Sequence, residues 1–195
     1  MKTLRAGPES APQTLLLLHG RGASAASILP LYQELRQSDW KALAPQAPDQ
    51  SWYPYSFLAP IGHNQPFLDQ SLEIVHQQIK DLPGRQVAIL GFSQGACLAL
   101  EYVARHPGRY AAVMALTGGL ISLDHRGDLQ GTPIFLGSGD PDPHVPWKRV
   151  QESAEALRAQ GARVEVRRYP GMPHTINNDQ LEYCRALLAR EGNHQ

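Results

Sequence analysis

Apolar runs too short to be helices alternate along this chain with segments of helical periodicity, and nothing else constrains its fold as tightly. Residues 14–18, 40–44, 86–91, 111–116, 133–137 and 163–169 read as strands. Between and after them, residues 24–37, 67–82, 93–105, 147–160 and 177–190 read as helices. In the cleanest helix, Leu68, Leu72, Val75, Ile79 and Leu82 are spaced 4, 3, 4 and 3 apart, which places them on one face. Ser24 reads as an N-cap, and Pro30 splits or kinks the helix it opens. Mostly apolar strands separated by helices imply a largely parallel sheet covered on both faces. In such sheets functional groups gather beyond the carboxyl ends of the strands. Chemistry is therefore sought in the loops after Leu18, Gly91, Leu116, Gly137 and Tyr169.

The chain has 195 residues, enough for a single domain over 1–195 with a full core. Lys+Arg and Asp+Glu both number 18, so the formal net charge is zero. No global field draws such a chain to nucleic acid or to an anionic membrane, and neither is expected as a partner. The densest basic run, residues 163–168, alternates with Val164 and Val166 and reads as a half-buried strand. Cys97 and Cys184 fall on apolar helix faces and read as buried thiols of a reducing compartment. The first residues carry early positive charge with no apolar stretch behind it, so no signal peptide is expected. No apolar run approaches the roughly 18 residues that would span a bilayer, and a cytoplasmic location follows as the expectation.

Gly91-Phe92-Ser93-Gln94-Gly95 fits Gly-x-Ser-x-Gly. Alone, that match is weak. Here it directly follows the apolar run Val87-Ala88-Ile89-Leu90 and opens the helix Ala96-Cys97-Leu98-Ala99-Leu100. Glycines at both ends permit a turn sharp enough to lift the serine hydroxyl clear of the backbone. The helix N-terminus favours negative charge developing beside it. Ser93 is the candidate nucleophile.

A serine hydroxyl is a poor nucleophile at neutral pH without a base, and the base needs an orienting partner. After an elbow of this type the order is Ser, acid, His. His106 ends the nucleophile helix, His125 precedes the acid candidates, and His194 lies in the tail. His144 shares a loop with the acids. His174 follows the strand ending at Tyr169, at the required edge and in the required order. Asp140 and Asp142 both follow the strand at 133–137, and spacing does not choose between them. Asp140, Asp142 and His144 also admit reading as a small metal cluster, but no supporting ligand stands at a suitable spacing. No metal and no cofactor are expected.

Acyl transfer needs two backbone N–H donors aimed at the oxyanion. Gln94, after the nucleophile, supplies one, and Arg21, between Gly20 and Gly22 in the first loop, supplies the other. The stretch from Gly20 to Ala25 also fits a dinucleotide fingerprint. Asp39, the acidic residue it would need, stands before the next strand rather than at its carboxyl end.

With these residues in place, the chain resembles the α/β-hydrolase superfamily. Within it, it is similar to the phospholipase/carboxylesterase family, which includes acyl-protein thioesterases. Leu18-His19-Gly20-Arg21-Gly22, Gly91-Phe92-Ser93-Gln94-Gly95-Ala96, the loop from Gly139 to Pro146, and Gly171-Met172-Pro173-His174 carry the resemblance. It spans nearly the whole chain, from about Leu15 to Ala189. It implies an α/β-hydrolase fold without a separate cap domain. It also favours Asp142 over Asp140, since the family's acid stands three residues before Val-Pro. Arg21 departs from the apolar residue common in the thioesterases. The family's usual N-terminal strands look reduced or absent, which points to a compact bacterial type.

The expected function is a serine carboxylesterase cleaving small or medium acyl esters, with thioesters within reach, by a Ser93, His174 and Asp142 triad. A dienelactone hydrolase-like lactonase and a non-catalytic binding protein on the same scaffold are the alternatives. Residues 45–66 and 117–130 are the expected pocket walls, with Trp52, Tyr53, Thr117 and Gly118 as substrate contacts. The partner is a small-molecule ester. A homodimer is common among similar proteins, though no apolar stripe in this sequence demonstrates one.

Overall fold

The computed structural model describes residues 2–35 and 37–192; His194 and Arg36 lie outside them. Among the described residues seven strands form one sheet: β1 (Thr3–Ala6), β2 (Gln13–Leu18), β3 (Trp40–Pro45), β4 (Val87–Phe92), β5 (Ala112–Leu116), β6 (Pro133–Asp140) and β7 (Arg163–Pro170). Their order is β1-β3-β2-β4-β5-β6-β7. β1 runs antiparallel to β3, and every other pairing is parallel. Of the two expectations for the N-terminal strands, reduced or absent, the first describes β1: four residues, Thr3 to Ala6, pair with Pro45 to Ala42.

The leucines of β2 explain the layering. Successive strand side chains point to opposite faces. Leu16 and Leu18 enter one core, and Leu15 and Leu17 enter the other; all four are fully buried. Helices α3 (Phe67–Ile79), α4 (Gln94–Arg105) and α5 (Trp147–Ala159) cover the first face. Leu68, Leu72, Val75 and Ile79 of α3 are buried there, as their spacing requires. The second face is covered by α1 (Ala25–Ile28), α2 (Leu31–Leu35) and α6 (Asn178–Gly192). The segment at 24–37 is split at Pro30, as its sequence suggests. Ser24 caps α1 by accepting the Ser27 N–H, while the Ser27 hydroxyl accepts the Ser24 N–H. Cys97 and Cys184 are buried free thiols in opposite cores. Burial pushes the Cys97 thiol up to about 12, which keeps it protonated.

The parallel strands all present their carboxyl ends to the same edge. The loops after β2, β4, β6 and β7 meet there. Among the described residues no helix is long and apolar enough to cross a membrane.

Candidate active site

β4 ends at Phe92 and α4 begins at Gln94, so Ser93 alone makes the turn. Its φ of 55° and ψ of −118° lie in a region that non-glycine residues rarely adopt. The strain is held by packing that only glycine permits. A Cβ on Gly91 would collide with the Gly95 carbonyl, and one on Gly95 with the carbonyls of Leu18 and His19. The Ser93 N–H donates to Leu116 O at 3.0 Å. The Ser93 hydroxyl makes no capping bond to its own helix.

That hydroxyl instead lies 2.8 Å from His174 Nε2. His174 Nδ1 lies 2.8 Å from Asp142 Oδ2. Because a carboxylate only accepts, Nδ1–H donates to Asp142 and Nε2 is left to accept the Ser93 proton. The other oxygen, Asp142 Oδ1, accepts the backbone N–H groups of His144 and Val145, both at 2.8 Å. Burial pushes the Asp142 carboxyl up, but these two amides and the His174 ring outweigh it and hold it below its ordinary value. The Asp142 side chain is wholly screened from solvent. Asp140, the other acid candidate, is paired with Arg168. Asp140, Asp142 and His144 therefore do not converge on a common point, and among the described residues no group of three such ligands could hold a metal.

The first loop is organised by His19, which is fully buried. Its Nδ1–H donates to Gly20 O at 2.8 Å, and its Nε2 accepts the Ala47 N–H at 3.1 Å. Burial lowers the His19 pKa, consistent with a neutral ring that donates at one nitrogen and accepts at the other. Beyond it, Arg21 lies at the cleft beside Gln94. Among the described residues neither the Arg21 nor the Gln94 backbone N–H has a hydrogen-bond partner.

Ser93 and His174 open into a cleft of about 730 Å³, within the range of small-molecule sites. Tyr53 to Leu58 form one wall, and Pro143 to Pro146 form the other. Of the four expected substrate contacts, only Tyr53 lines this cleft. Trp52 faces the opposite way: it is 1% exposed, its indole N–H donates to His19 O at 2.8 Å, and its ring packs 5.0 Å from the His19 ring. Thr117 and Gly118 are likewise displaced. The Thr117 N–H donates to Gly137 O, and Gly118 is pressed against Ala96 at the start of α4, so the loop after β5 lies behind the elbow. Its place as a wall is taken by the acid loop. His144, whose ring stands edge-on 4.9 Å from His174, lines the cleft, a role that its reading as a neighbour of the acids and as a candidate metal ligand does not include.

The sequence profile of the phospholipase/carboxylesterase family matches residues 3–190. The chain belongs to that family. Membership makes it a carboxylic ester hydrolase. It is 30% identical to acyl-protein thioesterase 1 of Saccharomyces cerevisiae, over 93% of this chain and 94% of the yeast protein. It is 29% identical to a probable carboxylesterase of Arabidopsis thaliana, SOBER1-like, over 89% of this chain and 77% of that one. The crystal structure of a family member from Dyadobacter fermentans, described as a phospholipase/carboxylesterase, superposes with a TM-score of 0.92. It shares 40% identity and covers 96% of both chains.

Proposed function

We propose that this hydrolase is a serine carboxylesterase of small to medium acyl esters. The single observation that carries the reading is the hydrogen-bonded line from Ser93 through His174 to Asp142, open to the cleft at its serine end. Ser93 Oγ attacks the acyl carbon while its proton passes to His174 Nε2. Asp142 keeps Nδ1 protonated and stabilises the imidazolium that forms. The amides of Arg21 and Gln94 receive the developing oxyanion, and the N-terminus of α4 adds its dipole. His174 returns the proton to the leaving alkoxide. Water, deprotonated by His174, then attacks the acyl-enzyme, and His174 returns that proton to Ser93 Oγ as the acyl C–Oγ bond breaks and the acid leaves.

The wall at Tyr53, Phe57 and Leu58 is apolar and suits the acyl part of a substrate. Names among the relatives supply the thioester alternative, since the yeast protein is an acyl-protein thioesterase. The same machinery serves both, because only the leaving group changes.

The test is hydrolysis of p-nitrophenyl esters and acyl thioesters, from short to long chains, by wild type and Ser93→Ala. Ser93→Ala is expected to lose at least about 10⁴-fold in kcat while its melting temperature is kept. A short-chain optimum supports the small-ester reading, and a thioester optimum moves it to deacylation. Turnover that survives Ser93→Ala would sink the mechanism.

A further inference from the structure

We propose that residues 51–55 form a strap that aims the two oxyanion amides, with Arg21 as its latch and Ser51 as its joint. The proposal rests on the reading of the Arg21 and Gln94 amides given above. Both residues send their side chains to this same short segment. Arg21 Nη1 donates to Ser51 Oγ at 3.1 Å and to Pro54 O at 2.7 Å, and Nη2 donates to Tyr55 O at 2.7 Å. From the other side, Gln94 Nε2 donates to Tyr53 O at 2.8 Å and to Ser51 Oγ at 3.3 Å, while its Oε1 accepts the Trp52 N–H at 3.0 Å. Ser51 Oγ thus receives both side chains, and it donates onward to Tyr53 O at 2.9 Å.

A backbone amide is aimed by whatever fixes the rest of its residue. Arg21 stands between two glycines, so its guanidinium is the only side chain in that tripeptide able to hold the loop. The neighbouring Gly22 N–H donates to Gln50 O at 2.8 Å and ties the same loop to the residue that leads into the strap. A planar fork that reaches three acceptors fixes orientation as well as distance, which one ammonium does not. The strap is in turn anchored from beneath. The Trp52 indole reaches His19 O, Ser71 Oγ donates to Trp52 O, and buried Asn64 accepts the Tyr55 N–H. No side chain of the strap bonds to Ser93, His174 or Asp142. Loosening it therefore acts on oxyanion stabilisation and leaves the proton relay intact.

Arg21→Met keeps the aliphatic stem and removes the fork; Ser51→Ala removes only the joint. Arg21 is exposed, so its loss is expected to leave the fold intact. Each variant, in the full chain, is assayed with p-nitrophenyl acetate and with a trifluoromethyl ketone, whose adduct with a serine carries the oxyanion. Misaimed donors are expected to lower kcat and the ketone's affinity together, by about 10- to 100-fold for Arg21→Met, with KM within about threefold. Ser51→Ala is expected to move both in the same direction by less, and the pH profile of kcat is expected to stay put.

The strap is overturned if both folded variants keep wild-type kcat and ketone affinity. It is also overturned if KM alone rises, which would make the segment a wall and nothing more. If Arg21→Met does not fold, Ser51→Ala decides. Ser93→Ala in the same series separates the two levels: activity there defeats the triad reading, whereas an inactive Ser93→Ala beside wild-type-like strap variants defeats only the strap.

Discussion

The carboxylate of Asp140 is paired with the guanidinium of Arg168 across the neighbouring strands β6 and β7. Two residues further on, Asp142 turns its oxygens to His174 and to two backbone amides. The two acids are separated by their partners, and they are expected to respond differently to the same change. Asp142→Asn is expected to lower kcat by about 10⁴-fold, because the amide favours the wrong imidazole tautomer. Asp140→Asn is expected to keep kcat within about threefold, since a partly exposed ion pair contributes about 1 kcal/mol or less. Steady-state kinetics on one short ester checks both. Equal losses would refute the assignment.

The elbow makes a second prediction, on stability. Gly95 touches the backbone of Leu18 and His19, and backbone cannot step aside. Gly95→Ala is expected to cost at least about 3 kcal/mol, at the upper end for overpacking. Gly22 is a different case: its φ is +72°, but open space surrounds it. Gly22→Ala is expected to cost only about 1–2 kcal/mol of backbone strain. Urea unfolding of the two variants ranks them, and the reverse order would contradict the packing described.

Glu101 gives a prediction in pH. It lies on α4 with its side chain fully buried. Arg105 Nε, at 2.8 Å, and the Ser122 N–H, at 3.0 Å, donate to it, and His125 Nε2 stands 3.1 Å away. Burial pushes this carboxyl up, but His125, Ser122 and Arg105 outweigh it and hold it below its ordinary 4.5. A carboxyl whose pKa is lower in the folded state adds stability that is fully present above its unfolded value. That stability is lost as pH falls through the folded value. The advantage of wild type over Glu101→Gln is therefore expected to be present above about pH 5 and to shrink as pH falls below about 4.5. Chemical denaturation across that range measures it; an advantage independent of pH would mean that the charge is not its source.

The elbow, the acid loop and the histidine loop were legible because their signals are local: glycine, proline and serine at fixed offsets from apolar runs. What was not legible depends on partners distant in sequence. β1 has four half-buried or exposed residues and no apolar run, and only its pairing with β3 makes it a strand. Trp52 and Tyr53 are adjacent aromatics with equal claims on the cleft, yet one packs on His19 and the other faces the site. For Gln94 the motif points to the backbone amide alone. The use of its side chain becomes visible only once residues 51–53 are brought across from another part of the chain. Spacing likewise left Asp140 and Asp142 equal, because nothing in the loop itself shows that Arg168 stands beside the first.

The outermost strands bear on how this molecule behaves in a crowd. Most of the sheet is long, apolar and parallel, the kind of surface that recruits foreign chains and grows into fibrils when a rim is left open. β1 forms one rim with only four residues, too few to template a long partner. β7 forms the other with Arg163, Arg167 and Arg168, and it closes on Pro170, which has no N–H to offer. Each of these arginines is held in an ion pair, with Glu191, with Glu165 and Asp179, and with Asp140, so a strand adding itself edge-on would have to strip water from a row of fixed charges. Brevity guards one border, and ion-paired side chains with a closing proline guard the other.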